Sequence, residues 1–333
     1  MQSAMRSKRH IHELSVIASG LSSAEFRSCR QAMQKTPHST YSTGSIATAD
    51  DIGLHLHRWQ AAATFPKPLA RIALVHGLAE HARRYDAFAL RLNAAGIELM
   101  AVDLRGHGKS PGERVWINSF DDYLLDTDAL LNATGATTPL EIPLFLMGHS
   151  MGGAIAALYA AERLPGSGRK LAGLILSSAA LKTPADAPRW KLKLGGLISR
   201  LMPRFPALTI DPATLSRAHG VVEANRRDPL VHHRAIPART ASQIVAAMRR
   251  IEAKRTSIDL PLFVFHGTKD ALTNPDGSRE FEANTGSTDT TLLILEGSYH
   301  ETLNDLDRDR MIEALIGWTL ARAGVEHGDS SVS

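Results

Sequence analysis

Residues 143–163 constrain this chain more than any other stretch. A short apolar run (Pro143-Leu144-Phe145-Leu146-Met147) passes straight into Gly148-His149-Ser150-Met151-Gly152-Gly153, and then into small residues ending in Ala160-Ala161-Glu162-Arg163. An apolar run of this length reads as a buried strand, and the Ala-rich stretch after it as a helix packed close to its neighbours. The change of direction must then happen at Ser150, with Gly148 and Gly152 giving the backbone room for it. A serine on such a turn lifts its hydroxyl above the edge of a sheet, beside a helix N-terminus that favours negative charge.

The surrounding pattern supplies the sheet. Strands are expected over 54–59, 70–75, 98–102, 143–147, 171–176, 262–265 and 292–295, with helices over 84–95, 120–133, 152–163, 275–283 and 307–323. Strands alternating with helices predict an α/β fold with a mostly parallel sheet covered by helices on both faces. Residues 182–258 break the rhythm: they carry seven prolines and no convincing strand, so a mainly helical segment is expected there, inserted before the last two strands. The expected organisation is a basic, mobile tail over 1–38, a core over 39–181 and 259–323, a cap over 182–258 and a second mobile tail over 324–333. The tail at 1–38 lacks the apolar stretch of a secretory signal. A presequence is one reading of it; a mobile tail, or an over-long stretch with the true start at Met33, is the favoured one.

Charge first points elsewhere. A formal net charge of +4 and a sequence pI near 9.3 would suit a nucleic-acid or anionic-surface binder. Residues 1–38 alone account for +4, and the rest is neutral. Within that neutral part, residues 182–258 hold 15 basic and 5 acidic side chains, and the remainder is acidic by the same margin. Aromatic residues make up only 5%, and no phosphate-binding glycine loop is present, so no nucleic-acid partner is expected. No apolar run reaches membrane-spanning length. The lone Cys29 excludes a disulfide framework and favours a reducing, cytoplasmic setting.

A serine hydroxyl needs a base to take its proton, and the base needs a carboxylate to fix its tautomer. His300 follows the last apolar run within Glu296-Gly297-Ser298-Tyr299-His300. Asp270 follows the preceding strand within His266-Gly267-Thr268-Lys269-Asp270. Asp276, the rival acid, sits in Asn274-Pro275-Asp276-Gly277, which reads as a helix start. The order Ser150, Asp270, His300 is that of α/β-hydrolases. Two backbone N–H groups should receive the oxyanion: Met151, next to the serine, and Leu78, in the loop His76-Gly77-Leu78-Ala79-Glu80-His81. Asp103 and Arg105 in Asp103-Leu104-Arg105-Gly106-His107-Gly108 are expected to pin loops. Neither a metal nor an organic cofactor is called for.

These motifs, with Asp228-Pro229-Leu230 and Tyr299-His300-Glu301, resemble the α/β-hydrolases of the monoacylglycerol lipase and lysophospholipase group over residues 50–320. The resemblance implies Ser150, Asp270 and His300 as the triad, Leu78 and Met151 as oxyanion donors, and Glu80 and Arg84 near the polar head of a glycerol ester. It also implies a lipid-like, single-chain acyl ester as substrate. A thioesterase, an aminopeptidase or a small-ester esterase on the same scaffold is the alternative, and a catalytically dead lipid binder a third reading.

The basic segment offers one more expectation. Trp190, Leu194, Leu197, Ile198 and Leu201 fall on one helical face, with Lys191 and Lys193 elsewhere. Such a helix can lie on an anionic membrane surface or simply cover a pocket. Gly195 and Gly196 weaken it, as suits a lid.

Overall fold

The computed structural model describes residues 40–136, 142–183 and 189–324, and for 136 and 189–193 the backbone alone. The expected tails, with Cys29 and Met33, and the side chains of Trp190, Lys191 and Lys193 lie outside the described residues.

Eight strands form one sheet: β1 (Tyr41–Ala47), β2 (Gly53–Trp59), β3 (Ala70–Val75), β4 (Ile97–Val102), β5 (Leu144–His149), β6 (Gly173–Ser177), β9 (Leu262–Gly267) and β10 (Thr290–Leu295). Their order across the sheet is β1-β2-β4-β3-β5-β6-β9-β10. The pairs β1–β2 and β2–β4 are antiparallel and every other pair is parallel. Strands β3, β4, β6 and β9 are buried throughout, which is why they read as continuous apolar runs.

Each face has its own core. Ala73 and Val75 of β3 point to one side, against helix α3 (Met151–Glu162), helix α6 (Ala238–Lys254) and Phe281 of helix α7 (Pro275–Asn284). Ile72 and Leu74 point to the other, against helix α1 (Asp86–Ala94) and helix α8 (Arg308–Arg322). This is the period-two alternation of a strand, used on both sides. Each Leu or Ile buried here contributes about 1.5–3 kcal/mol. Two charges break the apolar run: Arg71 and Glu98 sit opposite each other in register and form a buried ion pair. Arg71 also donates to the Thr134 carbonyl at the end of helix α2 (Asp121–Ala136), at 2.8 Å, so neither charge is left alone.

Three local expectations need correction. Strand β1 has no apolar alternation and is almost wholly exposed, so only its pairing with β2 reveals it. The stretch expected as one helix over 84–95 splits into a 3₁₀ turn at Ala82–Tyr85 and α1. Between β6 and β9 come helix α4 (Arg189–Leu201), helix α5 (His219–Arg227) and α6, as expected, but also two short strands, β7 (Pro206–Leu208) and β8 (Ile236–Pro237). They pair antiparallel with an irregular register, since each contains a proline with no N–H to give.

The loops with Leu78, Asp103, Ser150, Asp270 and His300 follow β3, β4, β5, β9 and β10 at the carboxyl edge of the parallel strands, where ligands bind in such sheets. Among the described residues, no helix is long and apolar enough to cross a membrane.

Candidate active site

Ser150 occupies the turn between β5 and α3 with φ 55° and ψ −120°, a backbone conformation disfavoured for any residue with a Cβ. The turn is held from both sides: Ser150 N–H donates to Ser177 O, and Ala180 N–H donates to Ser150 O, each at 2.9 Å. Its glycines are required by contact. A Cβ on Gly148 would stand 2.1 Å from Gly152 O, and one on Gly152 would stand 2.1 Å from Val75 O.

His300 and Ser150 line the same cavity, of about 570 Å³. The His300 ring is buried, with Nδ1 2.7 Å from Asp270 Oδ2. Nδ1 therefore carries the proton, and Nε2 is the nitrogen free to accept one. Asp270 is fully buried and heavily coordinated: Leu272 N–H and Thr273 N–H donate to Oδ1 at 2.8 and 2.9 Å, while Thr273 Oγ1 and His266 Nε2 lie 2.7 and 3.0 Å from Oδ2. Burial would raise the Asp270 carboxyl, but His300 and His266, with these hydrogen bonds, hold it far below its ordinary range. The reciprocal effect acts on His300: burial lowers its pKa, yet Asp270, with Glu301 and Glu80, raises it above the ordinary value. Asp276 is remote from this arrangement. Its N–H bonds to the Asn274 cap at 3.0 Å and its carboxylate pairs with Arg279 on the surface.

The loop after β3 brings the other predicted groups. Neither Leu78 N–H nor Met151 N–H has a protein acceptor among the described residues, and both residues line the cavity. The Gly77–Leu78 peptide is clamped. His76 Nε2 accepts from Leu104 N–H at 3.0 Å, so Nδ1 carries the hydrogen and donates to Gly77 O at 2.8 Å. Burial keeps that ring neutral by lowering its pKa. In a trans peptide C=O and N–H point in opposite directions, so fixing Gly77 O also aims Leu78 N–H. Gly77 N–H in turn donates to Glu80 Oε1 at 2.6 Å.

Glu80 and Arg84 both line the cavity, in a buried ionic knot. Arg84 forks onto both oxygens of Glu301 at 2.6 and 2.7 Å and reaches Glu80 Oε2 at 3.1 Å. Tyr85 OH donates to Glu80 Oε1 at 2.8 Å. Burial would raise Glu80, but Arg84, His149 and His76, with the Gly77 N–H, bring it down to about 2. Asp103 and Arg105 do pin loops: Asp103 accepts from Ala82 N–H and Lys109 N–H, at 2.9 and 2.8 Å, and Arg105 bridges Asp50 and Asp126.

Sequence reasoning missed several participants. His266 and Thr273 hold Asp270, and His76 orients the Leu78 peptide. Asn225 of α5 is 4% exposed, lines the cavity and has no side-chain partner among the described residues. Only His266 left a trace, four residues before Asp270 at a strand end. No His, Cys, Asp and Glu cluster fit to hold a metal occurs among the described residues.

A mostly parallel eight-stranded sheet, with a serine on a strained strand-to-helix turn and a histidine–aspartate pair from later loops, defines a serine hydrolase of the α/β-hydrolase fold. Within that class, the chain belongs to the serine aminopeptidase S33 family, whose model matches residues 66–307. It is 32% identical over 254 residues to a monoacylglycerol lipase of Mycolicibacterium smegmatis, covering 76% of this chain and 89% of that protein. It is likewise 32% identical over 304 residues to the monoglyceride lipase of Rattus norvegicus, covering 90% and 97%. The crystal structure of Paleococcus ferrophilus monoacylglycerol lipase superposes with a TM-score of 0.70 at 30% identity, covering 81% of this chain and 99% of that one.

Proposed function

We propose that this serine ester hydrolase cleaves single-chain acyl esters, with monoacylglycerols as the substrate class, through an acyl-enzyme on Ser150. The observation that carries this reading is the mixed lining of the cavity. Leu194, Ile198, Phe205, Ile244, Val245 and Met248 offer an apolar wall for one acyl chain, while Glu80, Arg84, Glu301 and Asn225 offer polar groups for the alcohol. The lipase relatives support the same choice. An aminopeptidase would need an unpaired carboxylate for its substrate's ammonium, whereas Glu80 and Glu301, the buried carboxylates in this cavity, already share Arg84.

In this reading His300 Nε2 removes the hydroxyl proton as Ser150 Oγ attacks the ester carbonyl. The N–H groups of Leu78 and Met151 receive the oxyanion. Asp270 steadies the imidazolium, which protonates the departing alcohol. Water, deprotonated by His300, then attacks the acyl-serine; the acyl–Oγ bond breaks, Ser150 Oγ takes the proton back from His300, and the fatty acid leaves. Residues 182–258 act as a cap over the core formed by 39–181 and 259–323. Leu197, Leu201 and Met202, each more than half exposed, give the cap a face for an anionic lipid surface.

Fluorophosphonate labelling and p-nitrophenyl octanoate turnover test the nucleophile. Wild type should label and turn over, and Ser150→Ala should do neither while keeping its melting temperature. Residual turnover near wild type in that variant would remove Ser150 from the mechanism.

A further inference from the structure

His300 is flanked by two peptide N–H groups, one held directly by the segment inserted between β6 and β9 and the other held by Asp305, which that segment grips. Glu301 N–H donates to Leu215 O at 2.7 Å. Tyr299 N–H donates to Asp305 Oδ2 at 2.8 Å, and Asp305 is gripped by Arg217 through its own N–H to Oδ1 and its Nε to Oδ2, both at 2.9 Å. The Asp305 side chain is fully buried. Leu306 N–H, at 2.9 Å, and Ser216 Oγ, at 3.3 Å, complete its shell on Oδ1. Arg217 Nη2 reaches further, to Asp307 and to Ser298 Oγ, so a single guanidinium spans the loop on both sides of the histidine.

We propose that Arg217 is a positioning residue for His300: the inserted segment sets where the histidine stands, besides forming a wall of the cavity. The proposal rests on reading His300 as the base for Ser150. The physical reason is charge balance. Arg217 makes the ion pair with the buried Asp305 carboxylate. A buried carboxylate stripped of its cation must turn toward water or take up a proton. Either change loosens its hold on Tyr299 N–H, and the ring next to it shifts. Proton transfer tolerates little misplacement, with about 100-fold lost per ångström.

The test uses the full chain and soluble p-nitrophenyl butyrate, whose short acyl group makes little use of the apolar wall. Arg217→Gln should lower kcat about 10- to 100-fold with KM within about twofold of wild type. Arg217→Lys, which keeps the charge near Asp305, should recover a large part of the loss. If Arg217→Gln does not fold, Ser298→Ala removes the hydroxyl that accepts from Arg217 and donates to Asp307, leaves the Arg217–Asp305 ion pair in place, and should lower kcat alone, by a smaller factor. A normal kcat in Arg217→Gln with a lowered melting temperature would make the residue a mere brace and overturn the proposal. So would a loss that Arg217→Lys fails to restore in any part. Ser150→Ala is run beside them. If it retains activity, the reading of the site has failed; if it is dead while Arg217→Gln is fully active, only the positioning role has failed.

Discussion

His300 carries opposing influences that have a measurable consequence. Burial pushes its pKa down, and the carboxylates of Asp270, Glu301 and Glu80 push it up more strongly. The neutral ring is the form that accepts the Ser150 proton. The acid limb of kcat/KM should therefore have its midpoint above the ordinary histidine value of about 6.5. Asp270→Asn removes the largest raising influence, so the limb should move to lower pH and kcat should fall by about 10³- to 10⁴-fold. A limb that stays in place in that variant would show that another group sets it. The same shift has a sign for stability. A raised folded-state pKa adds stability that is fully present below about pH 6.5 and is lost as pH rises through the His300 ionisation. At this scale the sequence was informative where chemistry and chain position coincide. Ser150, Asp270 and His300 each stand just past an apolar run, among glycines or turn residues. The roles of Thr273 and His76 were not legible: His76 is fixed by Leu104 N–H from the next strand's loop, 28 residues on, and Thr273, though three residues from Asp270, is held there by Ser178 O across 95 residues of chain.

Elements were legible in proportion to their burial. The central strands announce themselves as apolar runs because both faces are covered. Strand β1 carries no such pattern because all but Ile46 of it is exposed. Helix α4 lies between these cases, with an apolar face that the structure divides. Leu194 and Ile198 line the cavity, whereas Leu197 and Leu201 face solvent. Its two glycines are a choice rather than a packing need, since a Cβ at Gly195 or Gly196 would meet no atom within 4 Å. Replacing either by alanine should strengthen α4 by about 1 kcal/mol, through propensity alone. Hydrogen exchange followed peptide by peptide should show α4 amides slowed about fivefold per substitution, with the sheet unchanged. Equal or faster exchange in α4 would mean that those positions need glycine for a backbone reason.

The whole molecule divides by charge and by surface. Residues 182–258 hold 15 basic and 5 acidic side chains against an acidic remainder, so the modest net charge hides a dipole-like separation. On the basic side, Leu197, Leu201, Met202 and Phe205 lie 53%, 71%, 57% and 44% exposed along one short stretch. Exposed apolar side chains beside cations match a surface that meets anionic lipid, where the side chains insert and the cations supply attraction over a Debye length. The sequence showed the charge separation but not which apolar side chains remain outside. The expected outcome is co-sedimentation with vesicles of phosphatidylcholine and phosphatidylglycerol at low salt, weakening as salt rises. Leu197→Asp with Leu201→Asp should abolish pelleting, since each leucine forgone removes about 1.5–3 kcal/mol of insertion. The same variant should lose turnover of monoacylglycerol held in those vesicles, while dissolved p-nitrophenyl butyrate is hydrolysed at the wild-type rate, because neither side chain lines the cavity. Equal pelleting on pure phosphatidylcholine would remove the electrostatic part of the argument and leave the apolar part standing. Undiminished pelleting of the double variant would remove the apolar part, and with it the reason for those leucines to face water.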